Sequence, residues 1–135
     1  MKHLKNNKGQ SYIDTVIKFM IFMLLLAFLI SVIPMFIYKI NQDNFADELM
    51  RTAELTGNTN STDVRTKYDI LKNDTNIQPS ADWAGTIYWS GTQVQLNSNM
   101  SLTLTSTYTY QLATFLPINI TVTSKSTGTS ETFWK

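Results

Sequence analysis

Residues Phe19 to Tyr38 read FMIFMLLLAFLISVIPMFIY, twenty consecutive positions without a charged side chain. An α-helix of about 20 residues spans roughly 30 Å, the thickness of a bilayer's hydrocarbon core. In a chain of 135 residues, too little protein remains to cover such a run on every side. A cleaved secretory signal has a shorter apolar region closed by small residues of the A-x-A kind. Here Pro34, Met35, Phe36, Ile37 and Tyr38 carry the run up to the polar stretch that begins at Lys39. The sequence therefore predicts a retained anchor, crossing the membrane once.

The net charge of +1 selects no partner, but its distribution sets an orientation. Lys2, Lys5, Lys8 and Lys18 precede the run against Asp14 alone, while seven Lys/Arg and nine Asp/Glu follow it. Excess Lys/Arg close to a span marks the cytoplasmic side, so the N-terminus is expected in the cytoplasm and the C-terminal domain outside the cell membrane. That domain, about 78 residues from Asn58 onward, contains no cysteine and hence no disulfide. A core so small supplies only about 3–5 kcal/mol, which puts a premium on assembly. The single histidine, His3, lies on the cytoplasmic side, so a His or Cys metal site outside is excluded.

Helical spacing continues past the anchor. Phe45, Leu49, Met50, Ala53 and Leu55 recur at three- and four-residue intervals, with Asp43, Asp47, Glu48, Arg51 and Glu54 between them. Gly57, in the loop-like run TGNTNST, suits the position after a helix end. One long helix from Ser11 to Thr56, bent at Pro34, is expected. Residues 58–84 read as connecting structure: Val64, Tyr68, Ile70 and Leu71 suggest no more than a helix turn among Asn, Asp and Pro.

From Gly85 the period changes to two. Ile87 and Trp89, a Ser90-Gly91 turn, then Val94 and Leu96 suggest a hairpin, followed by a turn at Asn97 to Asn99. The clearest strand is Met100 to Leu112, with Met100, Leu102, Leu104, Tyr108, Tyr110 and Leu112 on one face, Thr103, Thr105 and Thr107 on the other, and Ser106 breaking the apolar series. Ile118, Ile120 and Val122 repeat the alternation, and Thr132 to Lys135 forms a fifth run after the turn-like STGTS. The expected fold is α+β: a basic leader over 1–9, a transmembrane and amphipathic helix over 10–57, a connection over 58–84, and an antiparallel β domain over 85–135 whose apolar face the amphipathic helix covers.

Nothing in the chain reads as catalytic machinery. Ser and Thr are abundant, but no G-x-S-x-G, no histidine beyond the anchor and no partner base accompany them. Asp63, Asp69, Asp74 and Asp82 lack calcium-loop spacing. Trp83, Trp89 and Trp134 could line a ligand surface, although aromatic residues in a small β domain more commonly fill its core. Lys and Arg after the anchor are scattered among acids, which gives no nucleic-acid footprint. No cofactor and no metal is implied.

Lys8-Gly9-Gln10-Ser11-Tyr12-Ile13-Asp14 stands directly before the apolar helix. This stretch resembles a type IV prepilin leader. The resemblance implies that a membrane-embedded prepilin peptidase cuts between Gly9 and Gln10, that Asp14 becomes the acidic fifth residue of the mature chain, and that other pilin subunits are its partners. The family usually has Glu at that place and a more apolar first turn than Gln10-Ser11-Tyr12, and Lys18 is a further departure. These differences point to pilin-like minor proteins of tight-adherence systems, the TadE-like pseudopilin group of Gram-positive bacteria. Those chains similarly end in a Ser/Gly-rich turn, an acidic residue and an aromatic-Trp-Lys tail, as in Ser126 to Lys135. The resemblance covers leader, anchor, following helix and tail, leaving about residues 58–85 unmatched.

Asp14 also has a purely local reading. Ser11-Tyr12-Ile13-Asp14 has the form of a capping box, with Ser11 capping the helix and Asp14 reaching back. Asp14 would then favour the helix dipole and stand four residues before Lys18, effects of about 0.3–1 kcal/mol each. The functional expectation is a minor pilin or pseudopilin in which Asp14 and Lys18 serve assembly. Its rival is an unprocessed single-pass signal-anchor protein with an extracellular adhesion or binding module, for instance within a DNA-transfer apparatus.

Overall fold

A computed structural model describes the backbone of residues 8–113 and 116–135, and the side chains of residues 12–110 and 117–135. Lys2, His3 and Lys5 of the leader lie outside the described residues. Five elements follow in order: α1 (Lys8–Thr56), α2 (Thr62–Thr75), β1 (Ser80–Asp82), β2 (Asn99–Ala113) and β3 (Leu116–Thr129). The strands form one antiparallel sheet in the order β1-β2-β3, so the fold is α+β as the sequence predicts. The chain divides into two compact units, Met1–Pro34 and Met35–Lys135, and α1 contributes to both.

α1 is unbroken over 49 residues, with Pro34 inside it at the unit boundary. Its start differs from expectation. Ser11 lies within the helix that already includes Lys8, so it does not occupy the N-cap position the capping box requires. In the second unit, Phe45, Ala46, Leu49, Met50 and Ala53 are buried at 2% exposure or less, forming one apolar stripe. Leu55 does not join them. It stands two residues, about 200° around the helix, from Ala53 and is exposed.

The stripe packs on the inward side chains of the sheet, Met100, Leu102 and Leu104 of β2 among them. The alternation on β2 is as expected: Leu102 and Leu104 are fully buried, Tyr108 and Tyr110 half-buried, Thr105 and Thr107 exposed. Thr103 is half-buried rather than exposed, since its neighbours in the sheet are Asp82 of β1 and Lys125 of β3. Leu112 lies beyond the described side chains.

Three parts of the chain depart from the sequence reading. Residues 62–75 form a full helix: Ser61 caps it by accepting the Val64 amide at 3.2 Å, and Asn76 ends it in the left-handed conformation. Val64, Tyr68 and Leu71, spaced by four and three, face the core, where the Tyr68 ring meets Phe45 edge-on at 5.4 Å. The turn at Ser90-Gly91 exists, closed by the Gln93 amide on the Ser90 carbonyl at 2.9 Å, but its flanks make isolated bridges instead of a hairpin. Ile87, Trp89 and Leu96 are exposed there, so only Val94 gains from burial. Finally, STGT is the end of β3 and not a turn, and Thr132 to Lys135 makes no strand.

Candidate functional site

In the first unit, the described side chains of α1 form an exposed, largely apolar surface. Tyr12 and Leu24 are each 74% exposed, and none of the candidate membrane-spanning window is buried. Among the described residues, one helix is thus long and apolar enough to cross a membrane. Gly9 and Gln10 are in its helical backbone, with side chains outside the described set. Asp14 and Lys18 follow one turn apart, both exposed, and the ion pairs among the described residues do not include one between them. The structure therefore brings the expected assembly residues onto neighbouring turns without joining them.

The second unit is organised around a buried polar seam. Gln42, fully buried on α1, donates from Nε2 to the carbonyls of Leu104 (3.0 Å) and Val122 (3.1 Å), one on each long strand. Its Oε1 accepts the Ser106 hydroxyl at 2.6 Å, and Ser106 accepts the Tyr38 hydroxyl at 2.9 Å. Along β3 the inward residues change from Val122 to Ser124, Ser126 and Gly128. These small residues admit α1 closely: Lys39 donates to Ser124 at 3.0 Å, Ser126 to Asp47 at 2.8 Å, and Glu54 fills the space beside Gly128. Burial pushes the Asp43 carboxyl up, yet hydrogen bonds from Lys39 and Ser124 and the Lys39 charge outweigh it and hold the group below its ordinary value.

The C-terminal end of α1 is closed by distant chain. Its carbonyls at Glu54 and Leu55 accept the Glu131 amide (2.9 Å) and the Thr132 hydroxyl (2.9 Å). The Trp134 indole N–H is shared between the carbonyls of Gly57 (3.2 Å) and Val94 (3.1 Å), and Gln95 holds the Trp134 backbone from both sides. Arg51 bridges Glu54 and Glu131, and those hydrogen bonds raise its pKa further above an already high value. Trp134 is therefore a structural clasp. Trp83 packs half-buried against the core and lines a hollow of about 350 Å³ with Leu49, Val64 and Tyr68, while Trp89 is 52% exposed.

Fold and surface together define an α+β protein with one bilayer-length apolar helix leading into a small antiparallel sheet domain. The chain belongs to the DUF4320 family, described as a domain of unknown function, whose family model matches residues 19–135. The match begins at Phe19, so Gly9, Gln10, Asp14 and Lys18 stand outside it. No curated protein and no solved structure matches the chain.

Proposed function

We propose that this protein is a minor pilin or pseudopilin, a structural subunit of a type IV or tight-adherence-like pilus or secretion apparatus. It is inserted with its basic N-terminus in the cytoplasm and its sheet domain outside, and trimmed after Gly9 by a prepilin peptidase. It is then held in the membrane until its apolar helix packs with those of other subunits. The observation that carries the reading is α1 itself: one uninterrupted helix whose first part is exposed and largely apolar and whose later part is the packing spine of the sheet domain. Helices leaving lipid must find one another, because their exposed apolar surface is costly in water.

Asp14 has its role in that packing. An unpaired carboxylate among apolar helices costs about 2.5–3.5 kcal/mol even on insertion scales, so a neighbour's new N-terminal amine, or Lys18, becomes its partner. The test is the mass of the mature chain in a cell with an active prepilin peptidase. Removal of residues 1–9, abolished by Gly9→Leu, supports the pilin reading, and Asp14→Ala should be cut normally yet assemble poorly. A mature protein that retains Met1 to Gly9 leaves the plain signal anchor. Protease added to intact spheroplasts should remove the sheet domain, and its protection there would reverse the orientation.

A further inference from the structure

Ser130 to Lys135 lie along the second unit with alternate side chains fastened down. Ser130 donates its hydroxyl to the Val94 carbonyl at 2.8 Å, Thr132 donates to that of Leu55 at 2.9 Å, and Trp134 is held by Gly57, Val94 and Gln95. The residues between them, Glu131, Phe133 and Lys135, are exposed. Phe133 is 62% exposed and takes no part in the core. A single apolar side chain at a surface is ordinary. This one is clasped on both sides and set between an acid and a base, so its ring stands in water at a fixed place. A group displayed so rigidly loses little conformational freedom when it is covered.

The same unit carries a hollow of matching chemistry. The space of about 350 Å³ beside Tyr68 and Trp83 is lined also by Leu49 and Val64, both buried. Its Tyr68 wall is fixed, since the hydroxyl donates to the Pro79 carbonyl at 2.6 Å and the ring meets Phe45. An apolar hollow of this size with aromatic walls suits one aromatic group. Phe133 is not among its lining residues, and the fastened residues on either side hold it elsewhere, so a copy does not fill its own hollow. Arg65 and Asp69, exposed and one turn apart on α2, edge the hollow. The ion pairs among the described residues include neither of them, nor Lys135.

We propose that Phe133 of one copy seats in the hollow of a second copy, with Lys135 toward Asp69 of that copy and Glu131 toward Arg65. The reversed orientation would bring Lys135 to Arg65 and Glu131 to Asp69, so charge selects one of the two. The long Lys and Arg side chains let the charges meet without an exact match in spacing. Knob and hollow are different surfaces, so the contact is heterologous and can repeat from copy to copy. It goes beyond the pilin reading, because it uses residues of the second unit alone and requires no trimming. An interface of one aromatic anchor and two charges is small and reversible, and a covalent trap is needed to see it.

The trap is full-length protein with Phe133 replaced by the photo-reactive p-benzoylphenylalanine, reconstituted in phosphatidylcholine/phosphatidylglycerol vesicles as an equal mixture of light and isotopically heavy copies. The same replacement at Thr105, on the exposed face of β2, is the control. After irradiation, mass spectrometry should find light-to-heavy cross-links from position 133 to α2 or Trp83, severalfold more abundant than from position 105 to the same segments. Asp69→Lys should lower that yield severalfold, and Asp69→Lys combined with Lys135→Asp should restore it, a rescue that a folding defect would not show. Cross-links confined to one copy, directed to other segments, or no more abundant than from position 105 overturn the contact. An Asp69→Lys yield equal to wild type, or a double variant that fails to recover, overturns the charge pairing that defines it. Each of these results leaves the pilin reading where the mass of the mature chain puts it.

Discussion

Ser106 gives its hydroxyl proton to Gln42 at 2.6 Å, so among the described residues the break in the inward apolar series of β2 meets the buried polar side chain of α1. Gln42 gives both of its Nε2 protons to the two long strands, which holds helix and sheet in a single register. Gln42→Leu should destabilise the second unit by about 1–3 kcal/mol, because Ser106 and two strand carbonyls lose their partner. Adding Ser106→Ala to it should recover part of that loss. Denaturant melts of the four proteins in detergent give the coupling, and strict additivity would mean that the seam is dispensable.

The two faces of β2 should respond oppositely to a charge. Leu104 is fully buried, and Leu104→Asp should unfold the domain, since a carboxylate would be placed in a small core without a partner. Thr105, the next residue, is exposed, and Thr105→Asp should change stability by less than about 0.5 kcal/mol. Circular dichroism melts that rank the pair equally would contradict the register.

Gly57 has two reasons to lack a side chain. Its φ of +58° is left-handed, and a Cβ there would come within 2.6 Å of the Thr132 Cβ. Gly57→Ala should cost about 1–3 kcal/mol and loosen the Trp134 clasp as well. Increased quenching of tryptophan emission by iodide would report the loosening. Gly91, also at positive φ but with open space around it, should tolerate alanine better.

Asp43 gives the domain a weak acid sensitivity. Its carboxyl sits below the ordinary 3.8 in the folded state, so the native state binds the proton less well than the unfolded chain does. The stabilisation is complete above that ordinary value and is lost as pH falls through the lower, folded one. Lys39 and Asp43 are each nearly half exposed, so the contribution is below about 1 kcal/mol. Asp43→Asn should be slightly less stable than wild type at pH 7, with the gap closing below pH about 3.8. A gap that widens on acidification would contradict the sign.

The bilayer-length apolar helix and its continuation to Thr56, the β2 alternation and the stop at Gly57 were legible because each rests on a run of residues with one clear period. α2 was not, though Ser61, Val64, Tyr68 and Leu71 carry its cap and its buried face. Asn73, Asp74, Thr75 and Asn76 mask them, being poor helix formers that here belong to the helix end. The fate of Ser124, Ser126 and Gly128 was hidden for another reason. Small polar residues read as turn in isolation, and only the helix packed on them shows that they are the floor of a groove. Of the site residues, Asp14 and Lys18 were placeable by spacing alone, while Gln42 gave no signal beyond being an uncharged polar residue in an amphipathic helix.

The closure of α1 by Thr132 also sets an order of events in time. Leu55 and Thr132 are 77 residues apart in sequence, and at about 5–20 residues per second the second of them is made on the order of 4–15 s after the first. For that interval the stripe from Phe45 to Ala53 emerges with no sheet to cover it. The apolar half of this domain must therefore wait for its cover while the rest of the chain is being made.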